Sequence, residues 1–128
     1  GTPQEPVAAA AGDGTVTLPA EVLIDNGTTA AAEVFAAALE GNKRADLVGE
    51  HTIGRAAVQK LIKLPDGSGL WLSTTRYLTP SGAALHEKGL EPTVAVDGPG
   101  PGEFGAAPSS ADPILDKAIE RISMKQAA

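Results

Sequence analysis

Cysteine is missing from all 128 residues, which removes disulfides, thiolate metal sites and thiol nucleophiles from consideration. It decides nothing about compartment. Aromatic residues are nearly as scarce, at 3% against a hydrophobic content of 42%, so a core has to be assembled from Ala, Val, Leu and Ile. Histidine is limited to His51 and His86; without an HExxH spacing a satisfied or solvated imidazole is the plainer reading, and no metal is expected. No run approaches the ~18 apolar residues that a bilayer span needs, and no charged-then-apolar segment opens the chain. Basic charge is also short, ten Lys and Arg against sixteen Asp and Glu for a net charge of −6. That balance argues against nucleic acid or an anionic membrane surface as partner. Walker-type phosphate loops and dinucleotide fingerprints are missing too, so no cofactor is expected. Ser109-Ser110 has no base nearby in sequence.

What is present suggests a single α/β unit, of a length that can bury roughly two thirds of its unfolded surface. Residues 1–20 form a loose lead-in rich in Ala, Gly, Pro and Thr, with an edge strand at Val16–Leu18, and the opening Gly1-Thr2-Pro3-Gln4-Glu5-Pro6 reads as an internal cut. A core follows over 21–97. It starts with Val22-Leu23-Ile24 as a strand, closed by the turn Asp25-Asn26-Gly27. From Thr29 to Glu40 the composition turns to Ala and Leu, with Val34/Ala38 and Phe35/Leu39 at helical spacing. Thr28 or Thr29 can cap that helix, Glu33 suits its positive end and Gly41 can stop it. Residues 45–49 look like a short strand. Val58–Leu64 and Leu70–Thr75 make a hairpin around Pro65-Asp66-Gly67-Ser68-Gly69. Trp71 and Tyr77 are expected to pack in the core or on the sheet. Pro92–Val96 adds a strand, 98–111 is a Gly/Pro-rich linker, and 112–128 is a closing helix with Ile114, Ala118, Ile119 and Ile122 as its apolar stripe.

A strand, a tight turn and a helix place backbone N–H groups where a developing oxyanion could be held, as acyl transfer requires. Many α/β folds have such a junction for structural reasons only. Here the surrounding residues add to it. Val22-Leu23-Ile24-Asp25-Asn26-Gly27-Thr28-Thr29-Ala30-Ala31-Ala32-Glu33-Val34 resembles the nucleophile segment V-L-V-N-x-G-S-A-S-A-S-E-I of the tail-specific (carboxyl-terminal processing) serine peptidases. Arg44-Ala45-Asp46-Leu47-Val48-Gly49-Glu50-His51-Thr52-Ile53-Gly54-Arg55-Ala56-Ala57-Val58-Gln59 is similar to that family's R-A-x-x-V-G-E-x-T-x-G-K-G-x-V-Q. Thr79-Pro80-Ser81-Gly82, Lys88-Gly89-Leu90-Glu91-Pro92 and Asp112-Pro113-Ile114-Leu115-Asp116-Lys117-Ala118 resemble its T-P-S-G, K-G-I-E-P and closing-helix motifs.

The resemblance implies a crotonase/ClpP-like ββα core, part of a peptidase catalytic domain, and a longer parent protein with a PDZ domain upstream. It implies a peptide or unstructured protein C-terminus as partner and a periplasmic or exported location. The partial sheet leaves edges that a second copy would cover, giving a homo-oligomer. Residue by residue, the family's serine falls at Ala30, its lysine at Arg55 and its orienting glutamine at Gln59. Gly27, Thr28 and Thr29 are the candidate substrate-binding positions.

Chemistry is not kept at those positions. Alanine offers no nucleophilic atom, and a guanidinium with a pKa above 12 cannot serve as the base that a desolvated lysine can be. Arg55 can instead pair with Glu50 or Glu33, or hold a peptide carboxylate in its fork of donors. Three readings stand at this point. The chain is a non-catalytic peptide-binding or scaffolding member of the family, or an active peptidase deliberately inactivated at position 30, or a peptidase working through Thr28 or Thr29, for which no base can be identified.

Overall fold

The computed structural model describes residues 4–10, 12, 16–98 and 111–126. Val22-Leu23-Ile24 lies in β1 (Glu21–Ile24), the Ala-rich stretch in α1 (Ala31–Gly41), and the following apolar run in β2 (Asp46–Gly49). The hairpin consists of β3 (Ala57–Lys63) and β4 (Gly69–Arg76); a two-residue β5 (Val94–Ala95) and the helix α2 (Pro113–Gln126) complete the order. β1, β2 and β5 pair in parallel in that spatial order, with Val22 opposite Leu47 and Val48 opposite Val94. Parallel neighbours need a crossover, and α1 supplies the one between β1 and β2. The mixed helix–strand architecture is the α/β one expected.

Successive residues of β2 face opposite sides of the sheet, and burial divides along that line. Leu47 joins Ile24, Ala36, Ala37, Ala56, Leu85 and Leu90 under α1, whereas Val48 meets Ile114 and Ala118 of α2. Each helix therefore closes one face. Two alanines on the inner side of α1, both 1% exposed, are how a core poor in aromatics stays close-packed, because small side chains let the helix approach the sheet.

Several expectations are corrected. Val16–Leu18 is not a strand; its carbonyls at Val16 and Leu18 accept hydrogen bonds from the Arg44 guanidinium at 2.7 and 2.8 Å. α1 does end at Gly41, with Asn42 as its C-cap, but the left-handed residue is Lys43, at φ 56°. Gly41 is needed for space, since a Cβ there would lie 2.6 Å from Cγ of Pro80. Trp71 sits opposite Leu61 on the hairpin but is 64% exposed, a sheet position and not a core one. Ile119 likewise points outward, and Ile114 with Ala118 carries the buried stripe. The linker expected at 98–111 falls mostly outside the described residues.

Polar contacts anchor α2 as much as apolar ones. Arg121 and Lys125, one turn apart, both reach Asp46 of β2, at 2.6 and 2.9 Å, and Lys125 also meets Glu21 of β1 at 2.8 Å. The hydrogen bond from Lys125 holds the Asp46 carboxyl below its ordinary value of 3.8. Bonds to Glu21 and then Asp46 raise Lys125 above 10.5. The depressed acid stabilises the fold above pH 3.8 and stops doing so as pH falls through its folded value. The raised base stabilises below pH 10.5 and stops as pH rises through its folded value. Protection of the α2 amides, taken relative to their intrinsic exchange rates, is therefore expected to be greatest between those limits, and Asp46→Asn to accelerate exchange in α2 at a given pH and leave α1 unchanged. Equal acceleration in both helices would contradict this anchoring.

Candidate active site

The turn after β1 is built by Asp25. Its Oδ1 accepts the Gly27 N–H at 3.0 Å and the Thr28 hydroxyl at 2.8 Å, while the Thr28 hydroxyl accepts the Asp25 N–H at 3.0 Å. Thr28 is thus committed to the turn and neither caps α1 nor offers a free hydroxyl. Thr29 does not cap it either: its Oγ1 is buried without a hydrogen-bond partner. The N-cap is Ala30, whose side chain can accept nothing. Only the reciprocal half of a capping box exists, with the Ala30 N–H donating to Oε2 of Glu33 at 3.0 Å.

Glu33 does more than close that cap. It is fully buried, and its two oxygens collect four donors. Oε1 accepts from the Thr52 hydroxyl and the Gly54 N–H, each at 2.6 Å, and Oε2 accepts from the Arg55 N–H at 2.9 Å as well as from Ala30. Burial pushes the Glu33 pKa up, but the hydrogen bonds from Thr52, Gly54, Arg55 and Ala30 outweigh it, and the group lies below the ordinary 4.5. Positions 30 and 55 are consequently joined: both N–H groups aim at one oxygen, so the two nitrogens lie no farther apart than the sum of those two distances. Thr52 extends the network, its hydroxyl accepting the Leu90 N–H at 2.8 Å. Gly54 and Gly89 allow the two loops to touch, since a Cβ on Gly54 would lie 2.7 Å from the Gly89 nitrogen.

Ala30 has φ 53° and ψ −119°, a backbone state that costs a residue with a Cβ about 1–3 kcal/mol. Sharp strand-to-helix turns that lift a nucleophile out of the chain carry strain of this kind. A cleft of about 290 Å³ opens beside it, lined by Ala30, Ala31, Val34, Ala56, Ala57, Val58 and Tyr77. Arg55 and Gln59 do not line this cleft; both side chains are exposed. Neither pairing expected of Arg55 forms, because Glu33 is saturated by other donors and Glu50 accepts the Gly98 N–H at 2.9 Å. Among the described residues its guanidinium has no partner. Gln59 sits where the β3–β4 register slips, between Val58 and Gln59. Gly27, Thr28 and Thr29 are not on the cleft wall. Of the residues that are, Val34, Ala56, Ala57 and Val58 carry no chemical signature in sequence, and Tyr77 was expected only to pack in the core or on the sheet.

Replacing Glu33 by Gln keeps the shape but turns one acceptor into a donor facing N–H groups. Unsatisfied buried groups of this kind cost on the order of 2–4 kcal/mol in sum, so a clear fall in the urea midpoint is expected for Glu33→Gln. The depressed pKa gives the sign in acid: its contribution is complete above pH 4.5 and vanishes as pH falls through the lower folded value. A variant with the wild-type urea midpoint at neutral pH would show that the carboxylate is not holding the loops.

The model of Peptidase family S41 matches residues 2–96. A carboxyl-terminal-processing protease of Synechocystis is 39% identical over 88 residues, covering 69% of this chain and 21% of that protein. Carboxy-terminal processing protease CtpB of Bacillus subtilis is 38% identical over 63% of this chain and 17% of its own length. Among solved structures, the photosystem II D1 C-terminal processing protease superposes with a TM-score of 0.58 at 40% identity, over 62% of this chain and 20% of that one. Mature CPAF gives 0.55 at 27% identity over 62% and 16%. The chain thus spans about a fifth of the length of these relatives, and the matched region contains the Glu33 network and the strained turn. It belongs to peptidase family S41.

Proposed function

We propose that this chain is a peptidase-family unit that binds an unstructured peptide or protein C-terminus without hydrolysing it. The observation that carries the reading is the pair of positions tied to Glu33. By the sequence resemblance Ala30 falls at the nucleophile position, where the turn is strained and no reactive atom is present, and Arg55 falls at the base position with a group that stays protonated; both N–H groups bond to Glu33. Gln59 at the orienting position has no lysine to orient. The reading of Thr28 as nucleophile loses support, since its hydroxyl is engaged with Asp25; Thr29 has no base bonded to it.

Binding has its own support in the apolar cleft and in the exposed guanidinium of Arg55, unpaired among the described residues, which can donate bidentately to a carboxylate. The purified chain is expected to leave an unstructured peptide intact, and Ala30→Ser alone to leave it intact too, because no base accompanies the serine. Ala30→Ser with Arg55→Lys should recover cleavage in the longer parent protein and not in this chain, which spans so little of its relatives' length. A peptide with a free C-terminus should bind more tightly than its amide, and Arg55→Gln should reduce that preference by about tenfold. Cleavage by the unaltered chain, scored by mass spectrometry, would overturn the first part. Equal affinity for acid and amide, measured by calorimetry, would overturn the second.

A further inference from the structure

The hairpin carries apolar side chains that the rest of the described chain does not cover. Leu61 and Trp71 stand opposite each other across β3 and β4 and are 50% and 64% exposed. Lys63 shares their face, two residues on, and has no ion-pair partner among the described residues. Within the hairpin, Lys60, Lys63 and Arg76 face a single anion, Asp66, although the chain as a whole has a net charge of −6. The hairpin is a basic apolar element on an acidic protein.

A counterpart of opposite sign lies on α2. Leu115 and Ile119, four apart and therefore neighbours on one helix face, are 43% and 54% exposed. Asp112 and Asp116, also four apart, flank them. Asp112 is occupied in capping the Leu115 N–H at 3.0 Å, and Asp116 has no ion-pair partner among the described residues. Asp112 and Asp116 sit at the positive end of the α2 dipole, which favours negative charge there. Arg121 and Lys125 are turned inward to Asp46 and supply no partner to Asp116.

We propose that the Leu61–Trp71 face of the hairpin docks on the Leu115–Ile119 face of α2 in a second copy of this chain, with Lys63 against Asp116. Opposite charge and two uncovered apolar pairs select a second copy over an acidic peptide, because one molecule carries both halves. Under two-fold symmetry each copy gives a hairpin and receives one, so the pair closes and does not grow into a filament. This goes beyond the peptide-binding reading and does not depend on it.

Trp71 is the single tryptophan and reports on its own burial. Sedimentation should show twice the 12.9 kDa chain mass at high micromolar concentration, with Trp71 emission moving to shorter wavelength as the dimer forms. Lys63→Glu and Asp116→Lys should each weaken dimerisation by about tenfold or more, since each brings like charges together. Mixing the two variants should restore it, because the altered hairpin then meets the altered helix and the unaltered pair is kept. Both positions are exposed, and circular dichroism checks that each variant is folded. A monomer throughout the concentration range would overturn the proposal, as would a dimer indifferent to both reversals or a mixture no tighter than the single variants. Association along the open β4 edge would produce the second of these outcomes.

Discussion

Glu33 brings a negative charge to a place without solvent contact, and the chain answers with four donors from two separate segments. A buried carboxylate is costly unless its oxygens are hydrogen-bonded, so the helix start, the Thr52–Arg55 loop and, through Thr52, the Leu90 segment cannot shift independently. Ile53 adds a further tie, its N–H donating to the Thr28 carbonyl at 3.3 Å. Motifs far apart in the chain meet here: the Ala-rich turn, the Gly-Glu-His-Thr-Ile-Gly-Arg segment at 49–55 and the Lys-Gly-Leu-Glu-Pro segment at 88–92. Glu33 is the side chain at the centre of that meeting, and backbone bonds such as that from the Thr52 N–H to the Leu90 carbonyl at 3.1 Å reinforce it.

The strained turn at Ala30 follows from the same contact. An alanine left to its own preferences would relax from φ 53°, but relaxing would withdraw its N–H from Oε2 of Glu33 and its carbonyl from the Val34 N–H, 3.2 Å away. The strain costs less than the bonds it keeps. Shape at position 30 is imposed from outside the residue, so it is insensitive to which small side chain stands there.

Much of the fold was legible because periodicity and turn chemistry point the same way. Val22-Leu23-Ile24 with Asp25-Asn26-Gly27, the alanine helix and the hairpin around Asp66-Gly67 each announce themselves locally. Failures occurred where tertiary contact overrides a local preference. Two threonines ahead of a helix are good caps, yet Thr28 is drawn into the Asp25 turn and the cap passes to an alanine. Gly41 does close the helix, but its close approach to Pro80 has no local signal. At the site, the positions 30 and 55 follow from the resemblance, while their common partner reads in sequence as a dipole-complementing acid or an ion-pair partner for the Arg55 side chain, and not as an acceptor for backbone N–H groups. Nothing in sequence distinguishes a surface glutamate in a first turn from a buried one that binds two loops. Trp71 misled for the opposite reason, since its size suggests burial and the hairpin has no described neighbour to bury it against.

The division between shape and chemistry limits what the fold by itself can say about activity. Glu33 fixes backbone atoms, whereas hydrolysis needs a side-chain oxygen and a group that can lose a proton at neutral pH. Under the proposed reading those requirements fall on the side chains at 30 and 55, which bond to nothing in the network. Substituting them leaves every donor to Glu33 in place, because all the donors at those positions are backbone N–H groups. A site of this construction can exchange its reactive atoms without disturbing its outline, and the outline is what sequence patterns and superpositions recognise. Family membership and catalytic competence therefore rest on different atoms of the same two residues.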